Sequence, residues 1–296
     1  MSVVASSPAQ AIALHSRGQW AHVVGSAVRT TRGAAALAIV GAVVLVATLG
    51  PFVAPHPSDE PIAAPFSGPA TGHLLGTDQL GRDVLSRVLD GGWQILLMAL
   101  AATAFGVLLG AAAGVSAAYL RGAIDGLIMR TVDVFLAFPQ LVFALLLISI
   151  IGPKTWLIIV AVGLTHAPAS ARVLRSAALE ISERDYVKWV ELQGVRSTKI
   201  MRSEILPNLV SPLMVEAGLR FTYSIVMMAG LAFLGFGLPP PAPNWGYMVQ
   251  ENRIGLVLNV WAVLAPTILI ALLTIGVNTF TDAVARVAIG VESRSE

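Results

Sequence analysis

Residues 176–211 read SAALEISERDYVKWVELQGVRSTKIMRSEILPNLVS. The stretch is charged and helix-compatible, ends in Glu204-Ile205-Leu206-Pro207-Asn208, and stands between long apolar runs. It is the clearest exception to the rest of the chain, in which 56% of 296 residues are apolar and 12% are charged. With a mean hydropathy of +0.77, that composition belongs to a membrane protein. A membrane chain with few other polar connections that keeps so long a charged segment is expected to present it to a partner.

On either side of this stretch lie apolar runs at roughly 33–54, 93–118, 126–151, 155–173, 211–236 and 257–280. Each is long enough, or nearly so, to cross about 30 Å of hydrocarbon as a helix. The expected fold is all-α, a polytopic membrane protein with six transmembrane helices. The fourth run is the shortest, and Thr165-His166-Ala167-Pro168 interrupts it.

Charge orients the spans. With the N-terminus inside, Arg17, Arg29, Arg32, Arg121, Arg130, Arg172, Arg175, Arg184, Lys188, Arg196, Lys199, Arg202, Arg286 and Arg294 fall on the inner side. Only Arg82, Arg87, Lys154 and Arg253 fall outside, with Arg220 near the fifth span. The positive-inside rule then puts both termini and the 176–211 segment in the cytoplasm. The expected organisation is a cytoplasmic segment 1–32, a transmembrane domain 33–280 with external loops 55–92 and 237–256, and a cytoplasmic tail 281–296. No cleavable leader is expected, because the first thirty residues lack a short apolar region with a small-residue cleavage site. The absence of cysteine excludes disulfides, thiolate metal sites and cysteine nucleophiles.

In the first external loop, Pro55, Pro57, Pro61, Pro65 and Pro69 prevent a regular element, whereas Asp78 to Leu89 can form a short helix capped by Asp78. The second external loop holds Pro239-Pro240-Pro241-Ala242-Pro243, a stiff extended rim, followed by Trp245 at headgroup level. On the inner side, Arg172 to Leu192 is expected to be helical. Gly194 breaks it, and a second piece, Thr198 to Leu206, is closed by Pro207. Two short helices bent at a glycine make a compact knob. The alternative is a basic loop lying on lipid headgroups.

Inside the spans, Glu216 and Arg220 are one helical turn apart and are expected to pair, either lining the inward mouth of a pathway or locking their helix against a partner subunit. Asp133, one turn from Arg130, is read as joining a helix foot to the cytosolic loop. His166 beside Pro168 is read as a packing residue. Thr222, Tyr223, Ser224 and Asn278 are the polar candidates for a transport pathway together with Glu216 and Arg220, although Ser and Thr in such helices also bond to local carbonyls. His15, His22, His56, His73 and His166 form no tight cluster, so no metal site is expected. There is no Gly-rich loop ending in Gly-Lys-Ser/Thr, hence no nucleotide site of this chain's own.

These residues carry a resemblance. The chain resembles the permease subunits of ABC importers, specifically the dipeptide/oligopeptide/nickel permease C type, over roughly residues 30–280. Leu75-Gly76-Thr77-Asp78-Gln79-Leu80-Gly81-Arg82-Asp83-Val84-Leu85-Ser86-Arg87 is similar to the signature after that subfamily's first helix. Leu231-Ala232-Phe233-Leu234-Gly235-Phe236-Gly237 with Pro240 to Gly246 is similar to the one leading into its last external loop. The run ending in Leu206-Pro207-Asn208 takes the place of the loop that contacts the ATPases.

The resemblance implies a type I ABC importer transmembrane domain in the inner (plasma) membrane, paired with a second, related permease. It implies two cytoplasmic ATPase subunits, separate or fused, an extracytoplasmic solute-binding protein, and no nucleic acid. ATP and Mg belong to the ATPases, so the chain itself binds no cofactor and catalyses nothing. The implied ATPase-coupling residues are Tyr186, Val187, Lys188, Trp189, Glu191, Gly194, Arg196, Lys199, Glu204, Pro207 and Asn208. Trp189 or Tyr186 would enter an apolar groove on the ATPase, with Glu191, Arg196 and Lys199 orienting it at the rim. The implied external set is Gly76, Thr77, Asp78, Gly81, Arg82, Asp83, Pro240, Trp245 and Gly246. The chain departs from the family at Lys188-Trp189-Val190, where Glu-Ala-Ala is usual. Glu204 replaces a histidine, and Met228 replaces an acid. The implied cargo is dipeptides or oligopeptides, with nickel or another small solute as the alternative. An autonomous secondary transporter would need coupled ionisable residues near the midplane, and the charges gather instead at the membrane edges.

Overall fold

Thr30 opens the first membrane-length helix, α1 (Thr31–Val53): its backbone is extended and its Oγ1 accepts a 3.0 Å hydrogen bond from the Gly33 amide, satisfying one of the free donors of the first turn. The structure, a computed structural model, describes residues 23–237 and 243–292. Its regular elements there are helical, as hydrocarbon requires of a backbone that must bond within itself. After a proline-rich loop come α2 (Val84–Asp90) and α3 (Gly92–Leu120), then α4 (Gly122–Ala137), α5 (Gln140–Ile151) and α6 (Thr155–Ser182). The short α7 (Asp185–Leu192) and α8 (Ser197–Ile200) lead into α9 (Val210–Leu231), and α10 (Trp245–Asn252) precedes α11 (Trp261–Glu292). Five helical stretches are long and apolar enough to cross a membrane, and α4 with α5 makes a sixth if the bent pair counts as one crossing.

That bend corrects the third span. Instead of one helix over 126–151, α4 and α5 meet at 86°. Pro139 excludes Phe138 from the helical region, and Phe138 is extended (φ −85°, ψ 135°). Phe135 and Phe143 close the elbow edge to face, 5.6 Å between centroids.

The fourth span is corrected the other way. α6 runs unbroken through Pro168 to Ser182, so 176–182 are helical as expected, while the helix expected over Arg172–Leu192 is broken at Glu183–Arg184, where the charged connection starts. Neighbouring helices enclose α6, with 67% of its apolar window buried against 22% for α1 and α11, and such packing tolerates one missing backbone donor. Its main partner is α3. Gly106, Gly110 and Gly114 recur every fourth residue and form a seam on which α6 lies backbone to backbone. A Cβ at these positions would stand 2.5 Å from the Gly163 carbonyl oxygen, 2.6 Å from Ser170 Cβ and 2.5 Å from the Ala171 oxygen, respectively. Small residues replace hydrophobic driving force with close van der Waals contact in a membrane.

Pro207 does not close a helix as expected. The chain widens into a π turn over Met201–Ile205, where the Leu206 amide reaches back to the Met201 oxygen, then tightens to a 3-10 turn over Leu206–Leu209 and enters α9 without a break. The change of pitch takes the proline ring off the carbonyl four residues earlier and lets the helix continue.

The two ends of the bundle differ. At one, here the cap end, lie residues 54–91 and 243–260. At the other, the foot end, α3 and α6 finish against the 183–209 segment, with Val115, Ala118, Ala178, Ile181, Ile205 and Leu209 as a small core. Val23 and Ala27 of a helical run over 23–29 pack on Ala283 and Val284 of α11. α11 therefore carries helix well past residue 280, into the segment expected to be a tail.

Candidate functional site

At the cap end, the sequence between the glycines of the first loop builds a latch. Gly76 and Gly81 have φ of +74° and +77°, which only glycine adopts without strain, and a Cβ on either would also collide, with the Ser67 and Ala63 oxygens at 2.3 and 2.2 Å. Thr77 between them is fully buried. It donates to the Ala64 oxygen at 2.7 Å and accepts from the Ser67 amide at 2.8 Å. Asp78 does not cap a helix. Its Oδ1 accepts from the Leu80 and Arg82 amides at 2.8 and 2.9 Å, folding the loop on itself. The cap of α2 is Asp83, through Ser86 N and Oγ at 2.9 and 2.6 Å.

That turn sets four buried charges together. Arg82 Nε lies 2.6 Å from Asp78 Oδ2 and its Nη2 3.0 Å from Glu251 Oε1. Arg87 Nη2 lies 2.8 Å from Glu251 Oε2 and its Nη1 3.4 Å from Asp78 Oδ2. Two cations and two anions, with side chains at most 4% exposed, cancel in net charge. The group joins the first loop to α10. Around it, Asn252 accepts from Gln79 N at 3.0 Å, and Asn259 donates to the Leu75 and Thr77 oxygens at 2.9 and 3.0 Å. Trp245 donates to the Val88 oxygen at 2.7 Å. Trp245 is wholly buried rather than at headgroup level, because Asn244 caps α10 and turns the indole inward under α2. Gly246 lets α10 approach α9, a Cβ there standing 2.8 Å from Ala229 Cα. Pro240 and the rest of the expected rim, residues 238–242, lie outside the described residues.

Sequence reading therefore found one half of the latch and missed the other. Arg87 closes the quoted signature without a role of its own, and Glu251, Asn252 and Asn259 belong to no motif. The available signal was Glu251, the one carboxylate between Glu216 and Asp282. The glycine seam of α3, readable from its spacing of four, was missed as well.

Within the bundle, the expected Glu216–Arg220 pair is made at 2.6 Å, and Glu216 also accepts from Ser170 Oγ of α6 at 2.8 Å. The Arg220 guanidinium lies 5.5 Å from the centre of the Tyr223 ring. Thr222 donates to the Gly218 oxygen, and Ser224 pairs with Thr103 of α3 at 3.0 Å, both buried. Tyr223 and Asn278 are exposed. His166 is fully enclosed, and neither ring nitrogen has a hydrogen-bond partner among the described residues. Met228 lies with Ile95, Met98, Ile158 and Leu231 in a mostly apolar pocket that Asn244 also lines, a setting in which a charged side chain is costly. Asp133 pairs with Arg172 rather than Arg130, and Asp125 with Arg175 at 2.5 and 2.6 Å, tying α4 to the foot of α6.

At the foot end, α7 and α8 make a hook. Gly194, at φ +74°, turns the chain between them. Val187, Ile200, Ile205 and Leu209 face inward and are buried. Tyr186 is not presented outward. Its phenol oxygen accepts from Asn208 Nδ2 at 3.1 Å, Asn208 also donates to the Glu204 oxygen at 2.6 Å, and burial pushes the phenol above its ordinary pKa. Asn208 and Pro207 thus close the base of the hook, with Glu204 bonded to Ser203 beside them. Lys188, Glu191, Arg196 and Lys199 are exposed. At the apex stand Trp189, 62% exposed, and Leu192, 86% exposed. Leu192 had not been singled out. The Tyr186–Asn208 bond is worth about 1 kcal/mol, so Tyr186→Phe is expected to lower stability by about that amount with the hook retained, measured as a shift in thermal unfolding midpoint.

The model of the family described as binding-protein-dependent transport system inner membrane component matches residues 106–288. A di/tripeptide transport system permease protein of Pseudomonas aeruginosa is 34% identical over 247 residues, 81% of this chain and 82% of that protein. A glutathione transport system permease protein of Pectobacterium atrosepticum is 34% identical over 215 residues, 73% of this chain and 71% of its own length. Among solved structures, an inward-facing form of the MetNI methionine ABC transporter superimposes with a TM-score of 0.52 at 20% identity, covering 67% of this chain and 96% of that one. That likeness establishes the fold of an ABC importer transmembrane subunit.

Proposed function

The chain belongs to the family of inner membrane components of binding-protein-dependent transport systems, and we propose that it forms one half of the pore of an ATP-driven importer of short peptides. The relatives' names give di/tripeptides and glutathione, itself a tripeptide, so the cargo class is peptides of two to a few residues. In this reading the foot end and both termini are cytoplasmic, the cap end faces the extracytoplasmic binding protein, and a second permease completes the pore. ATP and Mg stay on two ATPase subunits, and this chain performs no chemistry.

One observation carries the reading. Every other large apolar side chain of the hook apart from Trp189, Leu192 and Leu206 is at least half-buried, whereas Trp189 and Leu192 stand out on α7 three residues apart. On a helix they share a face, and an aromatic with an aliphatic neighbour is the kind of anchor that fills a partner's groove. Lys188, Glu191, Arg196 and Lys199 surround them and set orientation. Closure of the ATPases would push this apex. The hook is continuous with α9 through the 201–209 turns and joins α6 through Glu183–Arg184, so a push at the apex reaches both spans. α3, fitted to α6 along its glycine seam, moves with them, which is how the inner mouth would open and close.

Trp189→Ala with Leu192→Ala is expected to insert and fold normally, since neither side chain is packed. ATPase subunits recovered with the purified permease should fall at least about tenfold, corresponding to about 1.4 kcal/mol or more. Undiminished recovery and unchanged transport-linked ATP hydrolysis would count against the reading. Reversing Arg196 and Lys199 to Glu is expected to reduce substrate-stimulated ATP hydrolysis while insertion persists.

A further inference from the structure

Residues 254–260, between α10 and α11, expose more apolar surface than any other loop of the cap. Ile254 is 76% exposed, Val257 97% and Leu258 69%, with Leu256 and Val260 also open. The segment is held at both ends rather than loose. Gly255 lies under the Phe66 ring, which would be 2.1 Å from a Cβ there, and Asn259 makes its two bonds to the first loop. The projection of 256–258 is thus imposed by the latch.

Its depth follows from α11. No charged residue occurs between Arg253 and Asp282, and about 20 helical residues cross about 30 Å of hydrocarbon. Counted back from Asp282, that length is used up near Trp261, the first residue of the helix. The apolar run begins seven residues earlier than the crossing needs, and those extra residues are the projecting loop. They are flanked by Arg253, whose guanidinium lies over the Phe233 ring at 6.0 Å, and by Trp261, residues that suit the headgroup boundary. The same exposed side continues down α11 through Leu264, Ile268 and Ile275.

We propose that the 254–260 loop is a membrane anchor, lying in the headgroup and upper acyl region of the leaflet at the cap end and pinning the latch to the bilayer surface. Lipid fits better than a docking protein. Five aliphatic side chains crowded into seven residues would face water whenever a transient partner left, whereas the bilayer is always present.

Because the chain has no cysteine, Val257→Cys supplies one addressable thiol, and Asp59→Cys, in the exposed proline-rich part of the cap, is the water-facing reference. Each chain, with whatever subunits co-purify, is labelled with the fluorophore NBD in phosphatidylethanolamine/phosphatidylglycerol nanodiscs, and the signal of the cysteine-free chain is subtracted. The Val257 label is expected to emit to the blue of the Asp59 label. It should be quenched several-fold more by lipid carrying a nitroxide near the headgroup, and less by aqueous iodide. Equal emission and equal iodide quenching at the two sites overturn the proposal. A blue-shifted label that nitroxide lipid leaves unquenched overturns it in favour of contact with a second permease. A blue shift that requires added binding protein overturns it in favour of docking.

Discussion

A Gly110→Val chain is expected not to accumulate as folded protein in the membrane. The valine Cβ would stand 2.6 Å from Ser170 Cβ, 2.7 Å from the Ala167 oxygen and 2.9 Å from the Ala171 amide. Two of the three are backbone atoms of the most enclosed helix, so no side-chain rotation relieves the clash. Overpacking a yielding core costs about 1–3 kcal/mol. Here α3 and α6 must separate along their shared seam, and total stability is only about 5–15 kcal/mol. The check is the yield of monodisperse protein after mild detergent extraction, against Gly126→Ala as control. Gly126 has nothing within 4 Å of a built Cβ, and alanine in a helix is favoured over glycine by about 1 kcal/mol, so that variant is expected to equal or exceed the parent. Normal yield of Gly110→Val would mean that the seam does not organise the bundle.

Glu251→Ala is expected to be the most damaging change outside the membrane spans. It leaves Arg82 and Arg87 buried with Asp78 alone, and removing one partner of a buried ionic group costs about 3–5 kcal/mol because the remaining charge has no compensation. The first loop should detach from α10, seen as faster proteolysis between Pro55 and Leu74 and a lower unfolding midpoint. Arg121→Ala breaks the Arg121–Glu183 pair, whose side chains are 54% and 62% exposed, and is expected to change stability by no more than about 1 kcal/mol. If both substitutions had the same small effect, the latch would not hold the cap. The reciprocal change, Arg87→Met in the Glu251→Ala background, is expected to recover part of the loss by removing one uncompensated charge.

The latch also explains why the first loop was harder to read than the spans. Its turn residues were visible as glycines and an aspartate, and Asp78 was assigned to a helix cap five residues too early. Asp78 and Asp83 both precede helix-compatible residues; the Asp78–Arg82 pair is local, i to i+4, but what buries it together with Arg87 is Glu251, far along the chain. Similarly, Tyr186 and Trp189 are both aromatic residues on an exposed helix. Asn208, supplied by the next element, captures one of them and leaves the other free.

Breaks in the helices divide along the same line. Pro139 and Pro168 have the same local effect, removal of one donor and a steric conflict one turn back. At Pro139 the chain turns by 86°, with few buried neighbours on α4 to hold it straight. At Pro168, packing against α3 and α9 keeps α6 continuous. Pro207 is a third outcome, in which a change of helical pitch absorbs the ring.

Sequence alone determined the membrane class, the all-α fold, the approximate position of the spans and the family resemblance, because these rest on hydropathy and motifs that are local along the chain. The Glu216–Arg220 pair was legible for the same reason, its partners lying one turn apart on one helix. Tertiary structure decided which prolines bend their helices, that the cap is latched through Glu251, that Trp245 and Tyr186 turn inward, and that Trp189 and Leu192 remain outside. Each of these depends on atoms brought together from distant segments, and the energies involved, close packing and compensation of buried charge, do not exist until those segments meet.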